Sequence, residues 1–176
     1  RRAGHHFFSM EFIPGTDLQK RVNAGLLDPK EAARYVRDVA RAIHHAHQKG
    51  VLHRDLKPAN VLIDEHDQIH VTDFGLAKHM DSDSSVTGSG AAIGTPHYMA
   101  PEQAGGHSDR VCTESDVYSL GAILFACLTG RPPILADTVM QTLLQVVHEP
   151  APAVRSLRSD APLDLETIVA KCLEKN

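Results

Sequence analysis

The sequence predicts an α+β fold, a mainly helical body with a few short strands near its start. Three observations carry this expectation. Apolar residues between 32 and 46 recur with the helical period, residues 61–72 hold two short β-type runs around a polar turn, and the pattern after residue 74 is mostly helical. A hydrophobic fraction of 42% and a charged fraction of 23% suit one globular domain or a large part of one. With a net charge of −4 and scattered Lys and Arg, the chain has no nucleic-acid footprint. Cys112, Cys127 and Cys172 are too widely spaced for a disulfide framework or a zinc pattern, and they fit a reducing compartment. The longest apolar run, residues 120–128, falls far short of the ~20 residues that span a bilayer.

Taken in order, residues 7–13 read as a strand stopped by Pro14-Gly15. A helix then starts where Asp28 can cap, Pro29 suits the first helical position and Glu31 completes a capping box. Its apolar stripe is Ala32, Val36, Val39, Ala40, Ile43 and Ala46, and Gly50 ends it. Residues 61–63 and 69–72 form two strands around the turn 64–67. A Gly/Ser-rich segment covers 81–90. An apolar helix over 119–128 closes at Thr129-Gly130-Arg131-Pro132-Pro133, and Val139–His148 is helical. A Pro-rich loop, 149–162, leads to an amphipathic helix over 164–173.

The chemistry concentrates in HRDLKPAN, residues 53–60. Asp55 is a candidate base, Lys57 a nearby point charge, and Asn60 a neutral oxygen donor to a metal. Asp73 lies thirteen residues beyond Asn60, and a hairpin between them can return its carboxylate to Asn60. An amide oxygen plus a carboxylate, with water and phosphate oxygens, suits Mg²⁺. Phosphoryl transfer needs mostly such positioning and electrostatics.

These residues resemble the protein kinases. His53-Arg54-Asp55 with Asn60, Asp73-Phe74-Gly75 and Ala100-Pro101-Glu102 follow that family's order and spacing. The resemblance runs on through residues 115–121, LTGRPP at 128–133 and KCLEK at 171–175, and so covers essentially the whole chain. DLKPAN and GTPHYMAPE look like a serine/threonine kinase. PEQA, SDVYSLG and DLETIVAKCLEK look like the bacterial eukaryotic-like (Hanks-type) branch.

The resemblance implies a protein-kinase-like fold and transfer of the ATP γ-phosphate to protein Ser or Thr hydroxyls, with Mg²⁺ or alternatively Mn²⁺. Asp55 would be the base, Lys57 the γ-phosphate contact, and Asn60 and Asp73 the metal ligands. Thr95 would help hold Asp55 and the substrate hydroxyl. Met10, as gatekeeper of a hinge, with Glu11, Ile13 and Leu62, would face adenine. His53 and Phe74 would stack inside the lobe, and Asp116 would fix the catalytic-loop backbone. Arg54 would pair with a phosphate on the activation segment, at Thr87 or Ser89. Implied partners are ATP, a protein substrate and, for trans-autophosphorylation, a second copy. No nucleic acid and no membrane segment of this stretch are expected, in a cytoplasmic protein whose parent chain is open to membrane anchoring.

No Gly-rich loop, strand lysine or paired helix Glu is present. The expected organisation is therefore a partial kinase domain. Residues 1–15 would be the last small-lobe strand and hinge, and 16–176 the large lobe, ending before its final helix and before the Arg that pairs with Glu102 in the family. Such a chain is expected to be inactive alone. A pseudokinase or scaffold lobe is the non-enzymatic alternative, and a small-molecule phosphotransferase the other enzymatic one. Intact Asp55, Lys57, Asn60 and Asp73 speak against the former, and Lys57, DFG and APE against the latter. Residues 88–94 miss the phosphate-loop spacing by one residue. His44 and His47 share a helix face but lack the carboxylate or Cys partners of a metal site, and Cys112 reads as an incidental thiol.

Overall fold

In the computed structural model, residues 10–74 and 96–175 are described. Their elements are β1 (Gly15–Asp17), α1 (Leu18–Ala24), α2 (Pro29–Gln48), β2 (Val61–Asp64), β3 (Ile69–Val71), α3 (Pro101–Ala104), α4 (Thr113–Thr129), α5 (Val139–His148) and α6 (Leu163–Cys172). Short 3₁₀ turns stand at Pro58–Asn60, Pro96–Tyr98, Ser108–Arg110 and Val154–Ser156. The described residues are mainly helical and hold one antiparallel sheet in the order β1-β2-β3.

α4 is the axis of the core. Ala122, Ile123, Phe125, Ala126, Cys127 and Leu128 have no exposed surface. A helix apolar on nearly all sides belongs inside a bundle. α2 covers α4 with Ala32, Tyr35, Val36, Val39 and Ile43. α6 packs on another side, where Gly121 makes room for Cys172 and Leu173. A Cβ at Gly121 would sit 2.5 Å from the Cys172 Cβ. Gly121→Val is therefore expected to destabilise the lobe by about 1–3 kcal/mol, read as a lower denaturation midpoint; an unchanged midpoint would show that α6 yields freely.

α2 starts and ends where expected. Asp28 accepts from the Lys30 N–H at 2.9 Å and the Glu31 N–H at 3.4 Å, and Gly50 takes φ 73° just past the helix. The capping box is absent, however, because Glu31 is engaged elsewhere. Its carboxylate accepts from Arg21 at 3.0 Å and lies 3.1 Å from the Tyr35 hydroxyl. That hydroxyl donates to Asp67 at 2.6 Å, and Arg34 also holds Asp67. Asp67 occupies the β2–β3 turn at φ 60°, so this network ties the hairpin to α2.

The strand expected over 7–13 is corrected in its described part. Residues 10–14 are irregular, and Phe12 is 84% exposed. The strand is instead Gly15–Asp17, with Gly15 opposite Asp64, Thr16 opposite Ile63 and Asp17 opposite Leu62. Pairing selects this stretch because Gly15 allows contact that no side chain would. A Cβ there would lie 2.1 Å from the Ile63 carbonyl oxygen. α4 begins at Thr113, well before the apolar run, because Ser115, Asp116 and Ser119 are buried polar residues with tertiary partners. No helix among the described residues is long and apolar enough to cross a membrane.

Candidate active site

The loop 51–60 runs from the end of α2 into β2, and α4 holds it from behind. The Asp116 side chain is 2% exposed. Its Oδ2 accepts the His53 N–H at 2.9 Å, and its Oδ1 accepts the Arg54 N–H at 2.9 Å. His47 on α2 brings Nε2 within 2.7 Å of Asp116 Oδ2. One carboxylate thus joins α2, the loop and α4. Arg54 adopts φ 69°, and Asp73 adopts φ 63°. For a residue with a side chain this left-handed region costs about 1–2 kcal/mol, and surrounding contacts must hold it there.

Within the loop, Lys57 Nζ lies 2.6 Å from Asp55 Oδ2 in a part-buried ion pair. Asn60 is buried, and its Nδ2 donates to the Asp55 carbonyl at 2.8 Å and approaches Asp55 Oδ2 at 3.3 Å. Spending the amide N–H groups on Asp55 turns the Asn60 oxygen to the opposite side. The Asn60 carbonyl accepts the Thr72 N–H at 2.9 Å, so the hairpin delivers Asp73 next to Asn60. An amide oxygen and a carboxylate carried by neighbouring strand ends fit a divalent cation that keeps waters and phosphate oxygens in its shell.

His53 is fully buried, and its ring meets Phe74 at a centroid distance of 4.7 Å and a tilt of 48°. Nε2 lies 2.9 Å from the Thr72 carbonyl oxygen, and Nδ1 lies 3.4 Å from the Asp55 N–H. One tautomer serves both, with Nε2–H donating and Nδ1 accepting. A second ring proton would oppose the Asp55 N–H. Burial pushes the imidazole below its ordinary 6.5, against the hydrogen bond it donates to the Thr72 carbonyl and the charges of Asp116 and Asp55. A base depressed on folding leaves the unfolded chain to bind protons first. The His53 contribution to stability is therefore whole above pH 6.5 and declines as the pH falls below it towards the folded value. An NMR titration of the His53 Cε1 proton is expected to have its midpoint below 6.5; a midpoint at or above that value would contradict the burial argument.

Other expected site residues are more scattered. Met10 and Glu11 are exposed, Ile13 is half-buried, and Leu62 is half-buried in β2 between Asp17 and His70. Glu102 accepts a hydrogen bond from the Ser115 hydroxyl, which in turn accepts from the Cys112 N–H at 3.1 Å. Thr87, Ser89 and Thr95 lie outside the described residues. Sequence reasoning gave Gln103 no role of its own, yet its Nε2 donates to the Arg54 carbonyl at 2.6 Å. Only the motif PEQA pointed near it, without a contact.

Comparison with known proteins identifies the family. The family model of the protein kinase domain matches residues 1–176. The chain is 39% identical over 171 residues to serine/threonine-protein kinase PknB of Mycobacterium leprae, covering 97% of this chain and 27% of that protein. It is 40% identical over 172 residues to PknB of Mycobacterium tuberculosis strain H37Rv, with 97% and 27% covered. With PknD of the same strain it shares 40% identity over 175 residues, covering 98% and 26%. The chain spans about a quarter of the length of these curated relatives. It belongs to the protein kinase domain family, in the bacterial Hanks-type serine/threonine branch.

Proposed function

We propose that this chain is the large lobe of a serine/threonine protein kinase, which moves the γ-phosphoryl group of ATP to a Ser or Thr hydroxyl of a protein. The observation that most supports this is the Asp55–Lys57 pair at 2.6 Å, braced by Asn60 and backed by Asp116. Asp55 takes the proton of the attacking hydroxyl as the new O–P bond forms. The bond from Pγ to the bridging oxygen breaks, and its electron pair leaves with ADP. Lys57 offsets charge on the transferred group, and Thr95 helps hold Asp55 and the hydroxyl. Asn60 and Asp73 would hold Mg²⁺ or Mn²⁺, which when bound neutralises phosphate charge.

Met10, Glu11, Ile13 and Leu62 form the adenine side in this reading. Arg54 pairs with a phosphate on Thr87 or Ser89, placed there by a second copy of the kinase. The parent protein works in the cytoplasm, with or without a membrane anchor. A small lobe carrying a Gly-rich loop and a strand lysine completes the ATP site. In the test, a complete kinase chain carrying these residues is given labelled ATP, Mg²⁺ and a Ser/Thr-containing protein, beside the isolated 176-residue chain. Phosphoserine or phosphothreonine is expected from the complete chain alone. Nucleotide binding without transfer by the complete chain would favour a pseudokinase, and turnover by the isolated chain would overturn the need for the small lobe.

A further inference from the structure

The two peptide units that flank Arg54 are pinned from outside the loop. On one side, the Arg54 N–H donates to Asp116 Oδ1 at 2.9 Å. On the other, the Arg54 carbonyl accepts from Gln103 Nε2 at 2.6 Å, and the N–H of the same peptide unit, that of Asp55, lies 3.4 Å from His53 Nδ1. Arg54 between them sits at φ 69°, where a side chain is disfavoured unless its neighbours hold it. Gln103 is itself oriented, because its Oε1 accepts the Ala100 N–H at 3.2 Å at the start of α3. Its two amide ends therefore do separate jobs, the oxygen capping α3 and the nitrogen reaching across 49 residues of sequence to the loop.

We propose that Gln103 is a positioning residue for phosphoryl transfer: it clamps the Arg54–Asp55 peptide in its left-handed turn and so aims the Asp55 carboxylate. This rests on the kinase reading above. The clamp also gives the residue after Ala100-Pro101-Glu102 a hold on the base through the Arg54 carbonyl. A shift of α3 would rotate the peptide that carries Asp55 without touching Asp55 itself.

Gln103→Glu separates the two jobs, since a carboxylate can still accept from Ala100 but cannot donate to the Arg54 carbonyl. Gln103→Met removes both. Arg54→Gly makes the turn free of side-chain penalty, so the clamp has less to hold. In a complete kinase chain, Gln103→Glu and Gln103→Met are each expected to lower kcat about 10-fold or more, with KM for ATP changed less than about twofold. In the Arg54→Gly background, Gln103→Met is expected to lower kcat further by less than about threefold, the signature of coupled residues. Wild-type kcat in Gln103→Glu, or the same fold-loss in both backgrounds, overturns the proposal.

Amide hydrogen exchange gives a readout independent of turnover. Gln103→Glu is expected to speed exchange of the Asp55 amide while amides in the middle of α4 keep their protection. Unchanged exchange at Asp55 overturns the clamp. If the wild-type complete chain transfers no phosphate, the kinase reading fails and the exchange result alone decides the clamp. If Gln103→Met does not fold, Gln103→Glu carries the comparison in both backgrounds.

Discussion

Asp55→Asn in a complete kinase chain is expected to lower kcat by about 10²–10⁴-fold, while its unfolding midpoint stays near that of the parent. The asymmetry follows from what each oxygen does. An amide oxygen at this position still accepts from Lys57 Nζ and keeps its place beside Asn60, so the hydrogen bonds of the loop survive. The Asp55–Lys57 pair is part exposed, with side chains 30% and 20% accessible. At such exposure the loss of its charge contributes little to stability. An amide, though, does not take the hydroxyl proton. Steady-state phosphorylation beside a denaturation curve separates the two effects. Activity within a few-fold of the parent would remove Asp55 from the role of base.

Asp116→Ala has the opposite balance, with the larger loss in stability. It leaves the His53 and Arg54 N–H groups without their acceptor and deprives His47 of its partner. Removing one side of such a buried arrangement costs about 3–5 kcal/mol, and each orphaned N–H group adds its own desolvation penalty within that total. Asp116→Asn is expected to do little better. Its oxygen can serve one N–H, while its NH₂ group faces another donor. Chemical denaturation of the complete chain should show both variants with lower midpoints, and phosphorylation below the unfolding transition should still be reduced, because Arg54 is no longer held. A midpoint equal to the parent would mean that water replaces the carboxylate behind the loop.

The fold was legible where local chemistry decides it. Asp28-Pro29 and Gly50 mark the limits of α2 because caps and left-handed ends are written in adjacent residues. β1 cannot be placed from sequence because three residues have no periodicity of their own, and pairing with β2 chooses them. The start of α4 is hidden in the sequence because its first buried residues are polar and are satisfied by distant partners. The same division runs through the site. The spacing of Asp55, Asn60 and Asp73 can be read along a loop and hairpin. The reach of Gln103 to Arg54 depends on how α3 packs, and no short pattern encodes it.

Asp116 also sets an order of events during synthesis. It lies 63 residues after His53 and 62 after Arg54, the two backbone groups it holds. Chains are made from the N-terminus, and distant contacts pay loop-closure entropy before they form. When residues 53–60 leave the ribosome, the helix that will support them has not been translated. α2 and the hairpin can take shape early, but the left-handed turn before Asp55 has neither Asp116 nor Gln103 to stabilise it. The loop 53–60 therefore cannot settle before α4 has been made, and a polypeptide released before α4 would carry every residue of HRDLKPAN without the contacts that shape it.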